Sequence, residues 1–191
     1  VKKRTLKHRE FVLLGLIAEG ECHPYKLDQI INERGMRNWT NLGYNFSLST
    51  MYRHLAVLEN EGFVEFYNVE HDNRERKVYR ISAKGMQILK DRTLTILSNY
   101  NGKNDEDFYV AFSMLPLLSR REQVAAISQS LNRIKNHKKK LEGMLEENFH
   151  LPLNVTGLFI HPIKILATDI EFLEEVLRTI KEEKEKVDLK S

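Results

Sequence analysis

Apolar residues recur along this chain at two different periods, and the change from one to the other marks its organisation. Phe11, Leu14 and Ala18, with Val12, Leu16 and Ile17 beside them, predict a first helix that is apolar on most sides and stops at Gly20. Leu27, Ile30 and Ile31 predict a second, opened by Pro24 and running to about Met36. Met51, Leu55 and Leu58 lie at helical spacing between Ser47, an N-cap residue, and Gly62, which suits a left-handed helix stop. A third helix over about residues 48–61 follows. The pattern then becomes that of strands. Residues 63–69 and 76–81 are β-favouring runs separated by the polar, turn-compatible residues 71–75. Ser82 can cap a further helix with Met86, Leu89, Thr93, Leu97 and Tyr100 on one face, and residues 101–104, Asn-Gly-Lys-Asn, break it.

The second half reads as helix almost throughout. Phe108, Phe112 and Leu115 form a short apolar face that ends near Pro116. Val124, Ile127, Leu131, Ile134, Lys138, Leu141 and Leu145 advance by alternating three and four residues, the spacing of a coiled-coil seam. A loop holding Pro152, Asn154 and Gly157 is expected next. The seam spacing then returns in Ile163, Leu166, Ile170, Leu173, Leu177, Ile180, Lys184 and Val187. Rods with such seams pair with each other, with the helix after Ser82, or with a second chain, and a homodimer is the expectation.

A helix that is apolar on one side, polar on the other, and runs straight into a hairpin with a basic turn describes a recognition helix followed by a wing. The expected fold class is therefore mainly α with a small β-hairpin wing: a winged helix-turn-helix plus a helical dimerisation domain. The division falls at the 101–104 break, giving a DNA-binding domain over 1–101 and an α-helical dimerisation domain over 102–191.

Composition narrows this reading. The 191 residues carry a formal net charge of only +3, so no global polyelectrolyte effect is at work, but the charge is uneven. Residues 1–100 hold 16 Lys/Arg against 12 Asp/Glu, and residues 101–191 hold 14 against 15, as expected if the front half meets phosphate. Hydrophobic (41%) and charged (30%) fractions are those of a soluble protein, no apolar run reaches membrane-span length, and the first residues lack an apolar signal core. A single cysteine, Cys22, forms no intrachain disulfide, which agrees with a cytoplasmic location. Cys22 beside His23 is a poor metal pair, because no second ligand pair stands at useful spacing, so neither a metal nor a cofactor is expected. There is no phosphate loop, no nucleophile elbow and no thiol with a convincing base, so an enzyme is not expected.

His23-Pro24-Tyr25, then Tyr52-Arg53-His54-Leu55 continuing to Leu58-Glu59-Asn60-Glu61-Gly62-Phe63-Val64, then Val78-Tyr79-Arg80-Ile81-Ser82-Ala83-Lys84-Gly85, form an ordered series over about 80 residues. In this series the chain resembles the PadR family of transcriptional regulators, and its back half is similar in pattern to the helical dimerisation region of the larger-type members. Where that family commonly opens its recognition helix with Pro-Gly-Ser-Leu-Tyr, this chain has Leu48-Ser49-Thr50-Met51-Tyr52, so the tyrosine carries over to Tyr52. The resemblance implies a homodimeric repressor, sometimes released by a small, often aromatic, effector.

Candidate contacts to double-stranded DNA are Ser49, Thr50, Tyr52, Arg53 and His54 in the first turns of the recognition helix, and Arg74, Arg76 and Lys77 at the wing. Arg53 is the expected guanine reader, because its fork can meet two acceptors at once. Tyr52 could instead donate to a phosphate, which positions without specifying. The basic start, Lys2, Lys3, Arg4, Lys7 and Arg9, is either a solvated tail or an arm on the DNA backbone. Trp39, Tyr44 and Phe46 are expected to pack under the connection at residues 37–45. Trp39, Phe108, Tyr109 and Phe112 are the candidates for effector contact. The rival reading is a winged-helix adaptor that binds protein and not DNA.

Overall fold

The computed structural model describes residues 4–39, 46–71, 74–102 and 105–188, except for the side chains at 39, 71, 74 and 183–188. It contains helices α1 (His8–Glu19), α2 (Pro24–Glu33), α3 (Met36–Trp39) and α4 (Leu48–Asn60), strands β1 (Val64–His71) and β2 (Arg74–Ile81), and helices α5 (Ala83–Asn99), α6 (Glu106–Ser113), α7 (Arg120–Glu147) and α8 (Leu153–Asp188). A single 3₁₀ turn, Leu115–Leu117, follows α6. The expected class, mainly helical with one two-stranded antiparallel hairpin, is what folds.

Two compact units divide the chain. The first takes in the residues up to Thr93 together with Glu106–Leu117, and the second takes in Leu94–Asp105 and the residues from Leu118 on. The 101/102 division expected from the sequence thus leaves α6 with the back half, whereas its contacts group it with the front.

In the first unit α1 is the central rod: Phe11, Val12, Leu13, Leu14, Leu16 and Ile17 are all buried, which is why the sequence shows no polar face there. His23 caps α2, its Nδ1 accepting the Lys26 N–H at 3.2 Å, and Pro24 occupies the first helical position. The expected run to Met36 is broken. Gly35 adopts φ +61°, a left-handed step, and Met36 then starts the separate short α3. Phe46 is fully buried as expected, while Tyr44 and the Trp39 side chain lie outside the described residues.

Helix α4 is bounded by local chemistry. Ser47 Oγ accepts the Thr50 N–H, and at the far end Gly62 (φ +69°) and Phe63 donate to Glu59 O and Leu58 O, both at 2.8 Å, the paired bonds of a Schellman stop. The hairpin follows at once, in register from Val64↔Ile81 to His71↔Arg74. Residues 71, 74 and 75 belong to strands, and only positions 72 and 73, outside the described residues, separate them. The expected turn over 71–75 was too long because polar side chains cost nothing on a ribbon that is exposed on both faces, so pairing continues to its end. On its other edge β2 bonds to Cys22, with Cys22 N–H to Tyr79 O at 3.1 Å and Tyr79 N–H to Cys22 O at 2.9 Å. Helix α6 is tied into this unit by Asp107, which accepts from His8 Nδ1 at 2.7 Å and from Arg92.

In the second unit α7 and α8 pack antiparallel: Arg120 donates to Lys181 O at 2.7 Å and Lys135 pairs with Glu174 at 2.5 Å. The two seams do meet, burying Ile127, Leu131 and Ile134 with Leu166, Leu173, Leu177 and Ile180. The end of α5 joins them, with Ser130 Oγ donating to Leu97 O at 2.5 Å and the Tyr100 hydroxyl to Asp169 at 3.2 Å. The expected loop at 152–157 is corrected: α8 starts at Leu153, with Asn154 and Gly157 inside it, as is Pro162. Asparagine and glycine each weaken a helix by no more than about 1 kcal/mol, too little to stop a long packed rod. The side chains of Lys184 and Val187 lie outside the described residues.

Candidate nucleic-acid interface

Helix α4 divides cleanly. Met51, Leu55 and Leu58 are fully buried, so the arc opposite them, Ser49, Arg53, Ala56 and Asn60, turns to solvent. Among the described residues Arg53 has no ion-pair partner, and its guanidinium is open to a ligand. Ser49 Oγ lies 2.9 Å from Ser47 Oγ, and Thr50 Oγ1 accepts from the same hydroxyl at 3.3 Å, so the first turn presents a cluster of linked hydroxyls. Tyr52, 43% exposed, flanks this arc on the side of the hairpin.

His54 does not share that face. Its side chain is only 14% exposed, with its ring centroid 6.2 Å from that of Phe46 and Nδ1 3.9 Å from Glu10 Oε1. Burial, opposed by the Glu10 carboxylate, holds its pKa below the usual 6.5. The signal was in the spacing: His54 stands three residues after Met51 and four before Leu58, on the margin of the apolar stripe. Glu10, 1% exposed, is the anchor here. It accepts the Lys7 N–H at 3.0 Å and the Arg4 guanidinium at 3.2 Å. Arg4 also meets Glu61 at 3.0 Å, so this member of the basic start serves as a staple between α1 and the end of α4.

On the wing, Arg76 stands across from Val69 and Lys77 across from Asn68, so the two side chains leave opposite faces of the ribbon. Lys77 lies over the Phe66 ring, 3.6 Å from its centroid, and 3.9 Å from Glu59. Arg76 is exposed, and the Arg74 side chain lies outside the described residues. The ribbon is braced from the other side by the Tyr67 hydroxyl, which donates to Glu21 at 2.6 Å.

Between the start of α2, the Tyr52 side of α4 and strand β2 lies a cavity of about 490 Å³ lined by His23, Pro24, Tyr25, Tyr52, Glu75, Arg76 and Lys77. Burial, with the Tyr25 phenol nearby, raises the Tyr52 pKa, so its hydroxyl keeps its proton. Tyr25, 63% exposed, was not among the candidate contacts; a large ring left open beside a helix-opening proline was the available signal. Of the effector candidates, Phe108 is buried, with ring centroids 6.0 Å from both Tyr109 and Phe112, while Tyr109 is 46% exposed. The Trp39 side chain lies outside the described residues. Among those residues no group of three or more acidic, histidine or cysteine side chains could hold a metal ion, and no helix is long and apolar enough to cross a membrane.

Residues 13–91 match the model of the Transcriptional regulator PadR-like family. None of the curated proteins compared with the chain is significantly similar to it. Among solved structures the chain is similar to Bacillus subtilis PadR in complex with operator DNA, at 22% identity over 91% of this chain and 99% of that one, with a TM-score of 0.43. The same protein in complex with p-coumaric acid matches at 22% identity, 90% and 98% coverage and a TM-score of 0.37. A transcriptional regulator from Clostridium thermocellum matches at 26% identity over 43% of this chain and 75% of that one, with a TM-score of 0.38. The matched segment spans α4, the hairpin and the cavity between them, and over residues 13–91 the chain is similar to the transcriptional regulator PadR-like family.

Proposed function

We propose that the chain is a sequence-specific, double-stranded DNA-binding repressor that acts as a homodimer on a pseudo-palindromic operator, with α4 in the major groove and the hairpin on the flanking backbone. The observation that carries this reading is the outward arc of α4, where Arg53 stands unpaired among the described residues beside a cationic strand. A guanidinium held on a rigid helix can meet two guanine acceptors at once, whereas Ser49, Thr50 and Tyr52 supply donors for phosphate or base edges. Arg76 and Lys77 add charge that reads no sequence.

Residues 1–101 carry DNA binding in this reading and residues 102–191 carry dimerisation. Support for the second copy comes from α8. After its seam has packed on α7, it still exposes Leu158 (71%), Ile165 (43%) and Phe172 (39%), spaced at seven residues on one stripe. Two copies related by a dyad would present their α4 helices to half-sites about 34 Å apart or a multiple of one turn. Release by a small aromatic effector belongs to the same reading, with Tyr109 and Phe112 as the accessible rings beside buried Phe108.

The test is selection of bound sites from a random duplex pool, with sedimentation to count the copies on each duplex. Arg53→Ala is expected to relax sequence preference, whereas Arg76→Ala weakens every sequence alike and lowers the salt slope by about one. Equal losses on selected and random duplex for both variants refute the division of labour. Retention on duplex DNA that is indifferent to salt favours the adaptor instead.

A further inference from the structure

We propose that the cavity between α2, α4 and β2 seats one backbone phosphate of duplex DNA, with Tyr25 as a donor that fixes the register of the protein on the duplex. The inference rests on the DNA-binding reading above and adds a contact from α2, an element that reading leaves idle.

The lining is rich in donors. Tyr25 and Tyr52 bring two phenolic hydroxyls, the first near enough to act on the second, and Arg76 and Lys77, the latter also 3.9 Å from Glu59, stand on the lining. The backbone adds a fifth donor. Tyr79 turns its N–H and C=O outward to Cys22, and in an antiparallel ladder alternate residues face the same edge, so Lys77 turns its own N–H that way. By that point the neighbouring chain has left the sheet edge to begin α2 at Pro24, which opens a gap beside the Lys77 amide. Among the described residues of the lining one acid intrudes: Glu75 lines the rim, with Asn68 Nδ2 3.3 Å from its carboxylate.

The chemistry suits an anion with several acceptor oxygens. A phosphodiester offers such oxygens and carries charge into a site whose rim lies between the two elements that approach the duplex. The size is adequate for a phosphate with its flanking sugars. Filling it would tie α2, α4 and the hairpin to a single point of the backbone, which positions the reading helix without itself reading sequence.

The experiment measures binding of the full chain to a fluorescent mixed-sequence duplex by anisotropy across a salt series, and to a duplex taken from the selected pool. Tyr25→Phe is expected to weaken binding about fivefold on both duplexes with an unchanged salt slope, since it removes one neutral donor. Glu75→Gln is expected to tighten binding on both, about two- to fivefold, by removing an anion of the lining. Tyr25 is exposed, so its variant should melt as the wild type does, and melting is measured alongside. Affinity of Tyr25→Phe within twofold of wild type overturns the phosphate seat while the DNA reading stands. A loss confined to the selected sequence also overturns it, by placing Tyr25 at a base. Failure of the wild-type chain to bind any duplex at low salt removes both.

Discussion

Gly85 is the position at which the base of the hairpin meets α5, and replacing it with alanine tests that packing directly. A β-carbon built there would lie 1.9 Å from the carbonyl oxygen of Phe63, 2.8 Å from its carbonyl carbon and 3.0 Å from Ile81 Cγ1. The oxygen is not free to retreat, because it accepts the Ser82 N–H at 3.0 Å; Ser82 Oγ in turn donates to Gly62 O at 2.7 Å and accepts the Gly85 N–H at 2.9 Å. Relief requires α5 to move off the corner by about 1 Å, which breaks one or two of these bonds. Overpacking of roughly 1–3 kcal/mol plus about 1 kcal/mol for each lost bond puts the expected destabilisation near 3 kcal/mol. For a unit of this size that is a fall in Tm of roughly 12–24 °C. Thermal melting followed by circular dichroism measures it. Gly20→Ala is the control: nothing lies within 4 Å of its β-carbon and φ is 174°, extended backbone, so its Tm should hold or rise slightly. A Gly85→Ala melt within about 3 °C of wild type refutes the packing argument.

Two further outcomes follow from the same structure. Burial acts to raise the pKa of Asp107, but the hydrogen bond from His8 and the Arg92 guanidinium outweigh it and hold the group below its usual 3.8. A carboxylate depressed in the folded state contributes stability above its unfolded pKa and loses it as pH falls through the native value. Asp107→Asn should therefore be less stable than wild type at pH 7 and show a flatter decline below about pH 4 in melts across pH, and parallel declines would contradict the ion cluster. Cys22 is buried and its thiol pushed up to about 11, first by burial and then by the Glu19 carboxylate. Alkylation at pH 8 should run roughly 100-fold slower than in the unfolded chain, and equal rates in the two states would place the thiol at the surface.

Local chemistry made part of this architecture legible before any coordinates. Ser47, the stripe of Met51, Leu55 and Leu58, and Gly62 bracket α4 because capping and a left-handed stop are decided within a few residues. The hairpin showed in its β-favouring runs, and the seams of α7 and α8 showed in their spacing, because both are periodicities of single segments.

What could not be read depends on residues far apart in sequence. His54 turns inward because Glu10 and Phe46 meet it there. Helix α8 begins before its glycine and carries Pro162 inside it because packing of a long rod outweighs costs of about 1 kcal/mol for glycine and about 3 kcal/mol for proline. The cavity exists because residues 23–25, 52 and 75–77 converge, and Gly85 is required because the Phe63 carbonyl crosses it. Order along the chain therefore settled where α4, the hairpin and the two long seams lie. Only folding, which places separate segments within hydrogen-bonding distance, settled which polar side chains on α4 remain open and which surfaces join to form a site.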